Sequence, residues 1–170
     1  MGTPSVDAPV GDDLDRGDVP GLLVAIVATN LAGGLPAVFT AGDVASWYPT
    51  LVAPPLTPPS WVFGPVWTVL FAAIGAAAYL VYRRRDHPIR TRALALFGVQ
   101  LALNVSWSFA FFGAQSPAAG LAVILALDVA ILATMALFDR VDRRATALML
   151  PYLAWVLFAT YLTVGFWTLN

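Results

Sequence analysis

The sequence predicts an all-α integral membrane protein, built as a bundle of five transmembrane helices. In composition, 59% of the residues are hydrophobic and only 11% are charged, whereas about a quarter of a soluble domain is charged. Along the chain, five apolar stretches are each long enough for a helix to cross a bilayer, which needs about 20 residues. Open strands are excluded in lipid because their edge groups would stay unpaired.

A polar segment precedes the membrane domain. Residues 1–19 are rich in aspartate and lack the basic start of a signal peptide, so we expect a solvated, disordered tail. Residues 20–170 form the predicted membrane domain. Its helices are expected at residues 21–40, 61–82, 93–113, 117–138 and 145–169.

The connections between these helices differ in length and composition. The first, residues 41–60, contains five prolines, which restrict it to extended and turn conformations. This stiff segment could close one end of the bundle as a lid, or it could be a surface connector. The second and fourth connections read RRRDHPIRTR and DRVDRR, and the third is only Ala114–Ser116.

The arginines predict the orientation. All nine basic residues fall in the tail, the second connection or the fourth connection, and five spans place these segments on one side of the membrane. The positive-inside rule then assigns the N-terminus to the cytoplasm and the C-terminus to the outside. We therefore expect a multi-pass protein of a prokaryotic plasma membrane, with the proline-rich connection facing outward.

Several function classes are excluded by what the composition lacks. The chain has no cysteine and no lysine, one histidine and a net charge of −1. Nucleic-acid binding therefore has no electrostatic basis, and no glycine-rich phosphate loop is present. His87 stands alone in a polar connection, which argues against a histidine metal site or a serine–histidine–aspartate arrangement. We expect no metal, no cofactor and no catalytic residue.

Tryptophans occur at two depths. Those near predicted helix ends, where tryptophan usually anchors a helix at the interface, are Trp47, Trp61 and Trp167. Those about two turns deeper, on three different helices, are Trp67, Trp107 and Trp155. The deeper set could pack the bundle or stack on a flat aromatic ligand, and the residues alone leave both interpretations open.

Two polar residues fall inside predicted spans. Asn104 shares a face with Trp107, three residues later, and could bond a neighbouring helix or donate to a ligand. Asp128 is a mid-span carboxyl, expected to point inward and to bond a tyrosine or serine of a neighbouring helix. A proton relay is less favoured because the spans contain no second ionisable residue.

Three segments carry a resemblance to a known family. They are PPLTPPSWVFGPVWTVLF (residues 54–71), QLALNVSWSFAFFG (100–113) and PYLAWVLFATYLTVGFWTLN (151–170). Together with Trp47-Tyr48 and the five-helix pattern, they make the chain similar to the TspO/MBR family of tryptophan-rich sensory and translocator proteins. The resemblance covers nearly everything after residue 20.

The resemblance implies a membrane receptor, sensor or translocator that binds flat hydrophobic ligands in an outward-facing pocket inside the bundle. Porphyrins and other tetrapyrroles are the first ligand class it implies, with sterols or other lipids as further candidates. The expected pocket residues are Tyr48, Pro58, Pro59, Phe63, Trp67, Phe71, Asn104, Trp107 and Trp155. The family often has lysine where this chain has Ala53 and asparagine where it has Thr163, so neither a loop cation nor an amide pair is expected.

The third helix has a second face made of small residues. Gly98 and Ala102 lie about 190° around the helix from the Asn104 face, and Ala95 and Phe109 extend this stripe. Small residues four apart allow close contact between helices in lipid. We therefore expect a homodimer through this face, as in the family that the chain resembles.

Two other functions remain open. The chain could be an enzyme that degrades porphyrin with light or oxygen, as proposed for some members of the family. It could also be a structural or partner-binding membrane protein, for which a bundle interior filled by side chains is expected. The segment Leu80–Arg84 matches a weak sterol pattern, but it equally matches any helix end with a tyrosine–arginine anchor.

Overall fold

The computed structural model describes residues 14–170, and that range contains helices and no strand. The long helices are α1 (Val19–Ser46), α2 (Ser60–Arg83), α3 (Arg90–Ser108), α4 (Pro117–Asp139) and α5 (Arg143–Leu169). A 3-10 turn (Tyr48–Thr50) follows α1, and a π turn (Phe109–Gly113) continues α3. All five helices are long and apolar enough to cross a membrane, so the predicted five-helix membrane bundle is confirmed. Most of the expected tail, residues 1–13, lies outside the described residues.

The first connection departs most from the expected boundaries. α1 continues to Ser46, so the segment between α1 and α2 is residues 47–59 instead of 41–60. Residues 41–46 contain no proline, and each of their backbone N–H groups can therefore continue the helical ladder. At the start of the described chain, Asp15 and Asp18 close a turn by bonding each other's backbone N–H, so ordered structure begins before residue 20.

The helices form a closed ring in the order α1, α2, α5, α4, α3, and each packs against its two neighbours. The contact between α1 and α2 is close because both helices contribute glycines to it. A Cβ on Gly21 would collide with the ring of Tyr79, and one on Gly33 would collide with Phe71. From α2, a Cβ on Gly75 would lie 2.8 Å from the carbonyl oxygen of Ala25.

The two ends of the bundle differ in packing. At the end that carries the arginine-rich connections, the arginine-rich end, the interior is filled by apolar side chains. Completely buried members include Ile74, Ala77, Ile131, Phe138, Met149 and Val156. At the opposite end, below the proline-rich segment, Phe111, Leu162 and Phe166 form a smaller aromatic and aliphatic cluster. This second end, the proline-rich end, contains the cavity described below.

Acidic residues tie the helices together at the arginine-rich end. Asp18, directly before α1, accepts a hydrogen bond from the Tyr79 hydroxyl at 2.7 Å and pairs with Arg83 of α2 at 3.1 Å. This contact fixes the start of α1 to the end of α2.

Asp142 has the corresponding role for α5. Its carboxylate caps the helix by accepting from the backbone N–H of Arg144 at 3.0 Å, and it pairs with Arg84 of α2 at 3.0 Å. Burial alone would raise the pKa of Asp142, but the bonds from Arg144 and Arg84 outweigh it and hold this pKa below its ordinary value.

Candidate functional site

A cavity of about 600 Å³ lies inside the ring at the proline-rich end. Its walls come from α1, α2, α3 and α5, and the two short turns contribute aromatic side chains. This volume falls in the range of small-molecule sites, about 300–1,000 Å³. The arrangement is therefore suited in size to an organic ligand.

Seven of the nine expected pocket residues line this cavity. They are Tyr48, Phe63, Trp67, Phe71, Asn104, Trp107 and Trp155. Pro58 and Pro59 do not line it, because the chain turns into α2 after them and Ser60, the first residue of α2, takes the position at the wall.

Helical spacing explains why the aromatic side chains meet. On α2, Phe63, Trp67 and Phe71 are four residues apart and therefore share one face. Trp67 stacks on Phe71 with ring centroids 5.2 Å apart, and on α3 Trp107 stacks on Phe111 at 5.4 Å. Such offset pairs hold each indole in one orientation, which prepares a flat surface for a ligand.

Two of the tryptophans that line the cavity have an indole N–H group without a protein partner. The Nε1 atoms of Trp107 and Trp155 are buried, and no acceptor within residues 14–170 bonds them. A buried donor without a partner is unfavourable by about 1–3 kcal/mol. Each indole ring lines the cavity, but its Nε1 atom is shielded from it, so a ligand acceptor reaches either donor only when the indole rotates.

The amide of Asn104 bonds a neighbouring helix and also faces the cavity. Its Nδ2 donates to the hydroxyl of Tyr152 on α5 at 3.2 Å, and that hydroxyl donates to Oε1 of Gln100 at 2.8 Å. An amide carries two N–H groups, so Asn104 keeps a second donor for a ligand. The two interpretations of Asn104 left open by the sequence are therefore compatible.

Asp128 lies outside the cavity lining and belongs to the contact between α4 and α5. One carboxylate oxygen accepts from the hydroxyl of Thr160 at 2.9 Å, so the neighbour is a threonine and not the tyrosine or serine expected. Thr160 also lies 3.0 Å from the carbonyl of Val156, and its single hydroxyl proton serves one acceptor at a time. Within the described residues, no group of three or more potential ligand side chains could hold a metal ion.

The proline-rich segment is fastened to the end of α5. The Asn170 side chain accepts from the Val52 N–H at 2.9 Å and donates to the Val52 carbonyl at 3.2 Å. The Tyr161 hydroxyl donates to the carbonyl of Pro55 at 3.1 Å. These bonds hold the segment across the proline-rich end of the cavity.

Close packing adds to these bonds. Pro54 contacts Gly165 so tightly that a Cβ on Gly165 would overlap it. Tyr48 contacts Phe112 and Phe166, with ring centroids 5.6 and 5.3 Å apart. Of residues 47–59 only Tyr48 lines the cavity, so its ring, held by these contacts, closes the proline-rich end.

Comparison with known proteins identifies the family. A sequence model of the TspO/MBR family matches residues 25–168. The chain belongs to the TspO/MBR family. It is an integral, multi-pass membrane protein, as its five apolar helices and its family together indicate.

Three relatives illustrate the similarity. The tryptophan-rich protein TspO of Archaeoglobus fulgidus is 40% identical, over 87% of this chain and 94% of its own length. The translocator protein of Bos taurus is 34% identical, over 83% of this chain and 85% of its own. The tryptophan-rich sensory protein of Cereibacter sphaeroides is 37% identical, over 73% and 77%.

Sequence reasoning missed the wall that α1 contributes to this TspO/MBR cavity. The α1 residues at the wall are Asn30, Gly33, Gly34, Ala37, Thr40, Ala41, Val44 and Ala45. Most are small, and small residues in a membrane helix carry no signal that distinguishes a cavity wall from a helix contact. Phe111 and Phe166 were also missed. Phe111 follows Trp107 by one helical turn, which could have revealed it, whereas Phe166 lies eleven residues after Trp155 and carries no such signal.

The expected dimer stripe of the TspO/MBR chain lies on the outside of the ring. Ala95, Gly98, Ala102 and Phe109 are all exposed, and a Cβ on Gly98 would meet no atom within 4 Å. Phe109 approaches Phe39 of α1 with ring centroids 6.2 Å apart. The stripe is therefore accessible to lipid or to a second chain.

Proposed function

We propose that this protein binds a flat hydrophobic ligand, a porphyrin or related tetrapyrrole, and acts as a membrane receptor, sensor or translocator for it. The observation that carries the proposal is the meeting of Trp67, Trp107 and Trp155, from three helices, around one cavity. A structural protein would instead be expected to fill its interior. The names of the relatives, sensory and translocator proteins, agree with a ligand-handling role.

The chemistry of binding follows from the lining. The stacked pairs of Trp67 with Phe71 and Trp107 with Phe111 offer preorganised aromatic surfaces to a planar macrocycle. Asn104, which lines the cavity and uses one N–H group on Tyr152, keeps the other for an acceptor such as a carboxylate of a tetrapyrrole. The ligand binds reversibly, without an energy source, and the Tyr48 ring at the proline-rich end limits exchange with water.

The test is a titration with metal-free porphyrin, followed by quenching of tryptophan fluorescence. Trp107→Ala and Trp155→Ala should each weaken binding by about 1–3 kcal/mol, or roughly 5- to 150-fold, as for anchors in a buried site. Trp167→Ala is the matched control, because Trp167 is 51% exposed and lies outside the cavity. Equal dissociation constants in all variants would place the site elsewhere.

Haem supplies a second comparison. No histidine lines the cavity, and the chain has no cysteine or lysine, so iron gains no ligand of these types. Haem should therefore bind about as well as metal-free porphyrin. If illumination changes the absorption spectrum of bound porphyrin, and Trp107→Phe and Trp155→Phe abolish the change, the alternative of a porphyrin-degrading enzyme would replace simple binding.

We also propose that two copies associate through the small stripe of α3. Gly98→Leu or Ala102→Leu should keep the helices apart and yield monomer in cross-linking experiments. Ala126→Leu, at an exposed alanine of α4, is the control. An unaltered dimer in both stripe variants would assign the contact to another face.

We also propose that the protein lies in a prokaryotic plasma membrane with its N-terminus in the cytoplasm. The fourth connection carries Arg140, Arg143 and Arg144 at the same end of the bundle as Arg83 and Arg84, so the charge bias survives folding. A reporter fused after Asn170 should therefore be active outside the cell. Cytoplasmic activity would reverse the assignment.

A further inference from the structure

A second concave surface lies between α1 and α3 at the arginine-rich end, and α2 forms its floor. This groove, the α1/α3 groove, has a volume of about 680 Å³ and lies apart from the aromatic cavity, with which it shares no lining residue. Its walls are mostly small or aliphatic, for example Ala28 and Ala32 on α1 and Leu94 and Leu101 on α3. The groove therefore suits an apolar occupant of narrow section.

The length of the groove matches one leaflet of a bilayer. Along α1 it runs from Pro20 to Ala32, and 12 residues of helix at 1.5 Å each span about 18 Å. Half of the hydrocarbon thickness of a membrane is about 15 Å. Since α1 enters the membrane at this end, the groove extends from the interface to about the midplane, the depth that a lipid acyl chain covers.

The mouth of the groove carries positive charge. Tyr82 lines it, and the guanidinium of Arg90 lies 4.6 Å over the Tyr82 ring while its Nε donates to the Tyr82 carbonyl at 2.7 Å. Arg85 and Arg92 belong to the same connection, and within residues 14–170 none of these three arginines forms an ion pair. Three aspartates, Asp15, Asp18 and Asp86, lie at this end of the described chain beside five arginines, Arg16, Arg83, Arg85, Arg90 and Arg92, so the surroundings of the mouth are net positive.

We propose that the α1/α3 groove binds an anionic phospholipid, with an acyl chain between α1 and α3 and the phosphate against Arg90. A guanidinium held in place by its own aromatic and backbone contacts is preorganised for a phosphate. A sterol would fill the groove without using this charge. A second copy of the chain fits less well, because it would have to place an apolar helix face beside the arginines.

The experiment uses the full chain, delipidated in detergent and titrated with phosphatidylglycerol, phosphatidylcholine of the same acyl chains, and cholesterol. Native mass spectrometry counts the retained lipid. Phosphatidylglycerol should be retained several-fold more strongly than phosphatidylcholine, and Arg90→Gln should weaken its retention roughly fivefold, the effect of one arginine at a membrane surface. Arg140→Gln, which removes the same charge from the other connection, should leave it unchanged.

A groove-filling variant separates this site from non-specific charge attraction. Ala28→Phe should lower retention of both phospholipids, whereas Ala126→Phe, on the exposed face of α4, should lower neither. Equal retention of the two phospholipids, equal effects of Arg90→Gln and Arg140→Gln, or displacement of phosphatidylglycerol by cholesterol would overturn the proposal. So would loss of dimer without loss of lipid in Ala28→Phe, which would assign the groove to a second copy. Porphyrin binding is not a readout, so these outcomes are independent of the proposed ligand function.

Discussion

Removing one hydroxyl from the centre of the bundle, in Tyr152→Phe, tests how the helices are held in register. Tyr152 is completely buried, and its hydroxyl connects α5 to α3 by donating to Gln100 and accepting from Asn104. Phenylalanine keeps the ring and its edge contact with Trp67, whose centroid lies 6.3 Å away. The substitution therefore removes hydrogen bonds with almost no change in packing.

The magnitude follows from two lost interhelical bonds. In membrane proteins such a bond contributes on average about 0.6 kcal/mol and at most about 1.7 kcal/mol. The loss of both bonds should lower the free energy of unfolding by about 1–3 kcal/mol. The cavity should bind its ligand at least as well, because Asn104 then has both N–H groups available.

The assay is unfolding in detergent micelles by a graded denaturing detergent, for the wild type and four variants: Tyr152→Phe, Gln100→Leu, the double variant and Tyr82→Phe. Gln100→Leu in the Tyr152→Phe background should recover part of the loss, because a polar group left unpaired is then removed. Tyr82→Phe is the control, since Tyr82 is 49% exposed. Wild-type stability in Tyr152→Phe, or a double variant as unstable as the sum of the two single variants, would refute the reasoning.

Two further predictions concern the ends of the bundle. Asp142→Ala should lower stability by about 0.5–2 kcal/mol through loss of the α5 cap. Because the folded-state pKa of Asp142 is lowered, the stability it contributes is complete above the ordinary value of 3.8 and is lost as the pH falls through the folded-state pKa. Thermal unfolding across this acid range checks this, and the dependence of stability on pH should be weaker in the Asp142→Ala variant. At the other end, Gly165→Ala should displace Pro54 and raise both the association and the dissociation rate of porphyrin in stopped flow. Gly42→Ala, where a Cβ meets nothing within 4 Å, should change neither rate, and unchanged rates in both variants would show that this contact does not limit exchange.

The helices could be predicted because each span is one uninterrupted apolar stretch between polar or proline-rich segments. The end of α1 could not be predicted, because the composition of residues 41–46 is compatible with a helix and with a loop. Only the contacts of the folded chain decide where the helix ends. The π turn at Phe109–Gly113 likewise has no distinct composition. It is visible only from the folded backbone, where the N–H of Ala114 donates to the carbonyl of Phe109 and that of Ser116 to the carbonyl of Phe111.

The site was predictable where large side chains recur at helical spacing, as for Trp67 and Trp107. It was not predictable where small residues form the wall, as at Gly33 and Gly34, since Gly33 admits the Phe71 ring and a Cβ on Gly34 would meet no atom within 4 Å, and the sequence does not distinguish the two. The hydrogen-bond partner of Asp128 also could not be predicted from the sequence. Several hydroxyl side chains could have reached it, and the rotation of α5 against α4, which no local pattern encodes, selects Thr160.

The position of α1 has a consequence for how this protein is made. α1 is the first of the five helices to be synthesised, yet among its 28 residues only Thr29, Pro36 and Thr40 are buried. It closes the ring by contacts with α2 and α3, helices that emerge later, and it supplies one complete wall of the cavity. The cavity is therefore complete only when α1 is docked against helices that are synthesised after it. Any ligand that occupies it favours the docked helix by RT ln(1 + [L]/Kd), so supply of ligand and maturation of the protein are thermodynamically linked.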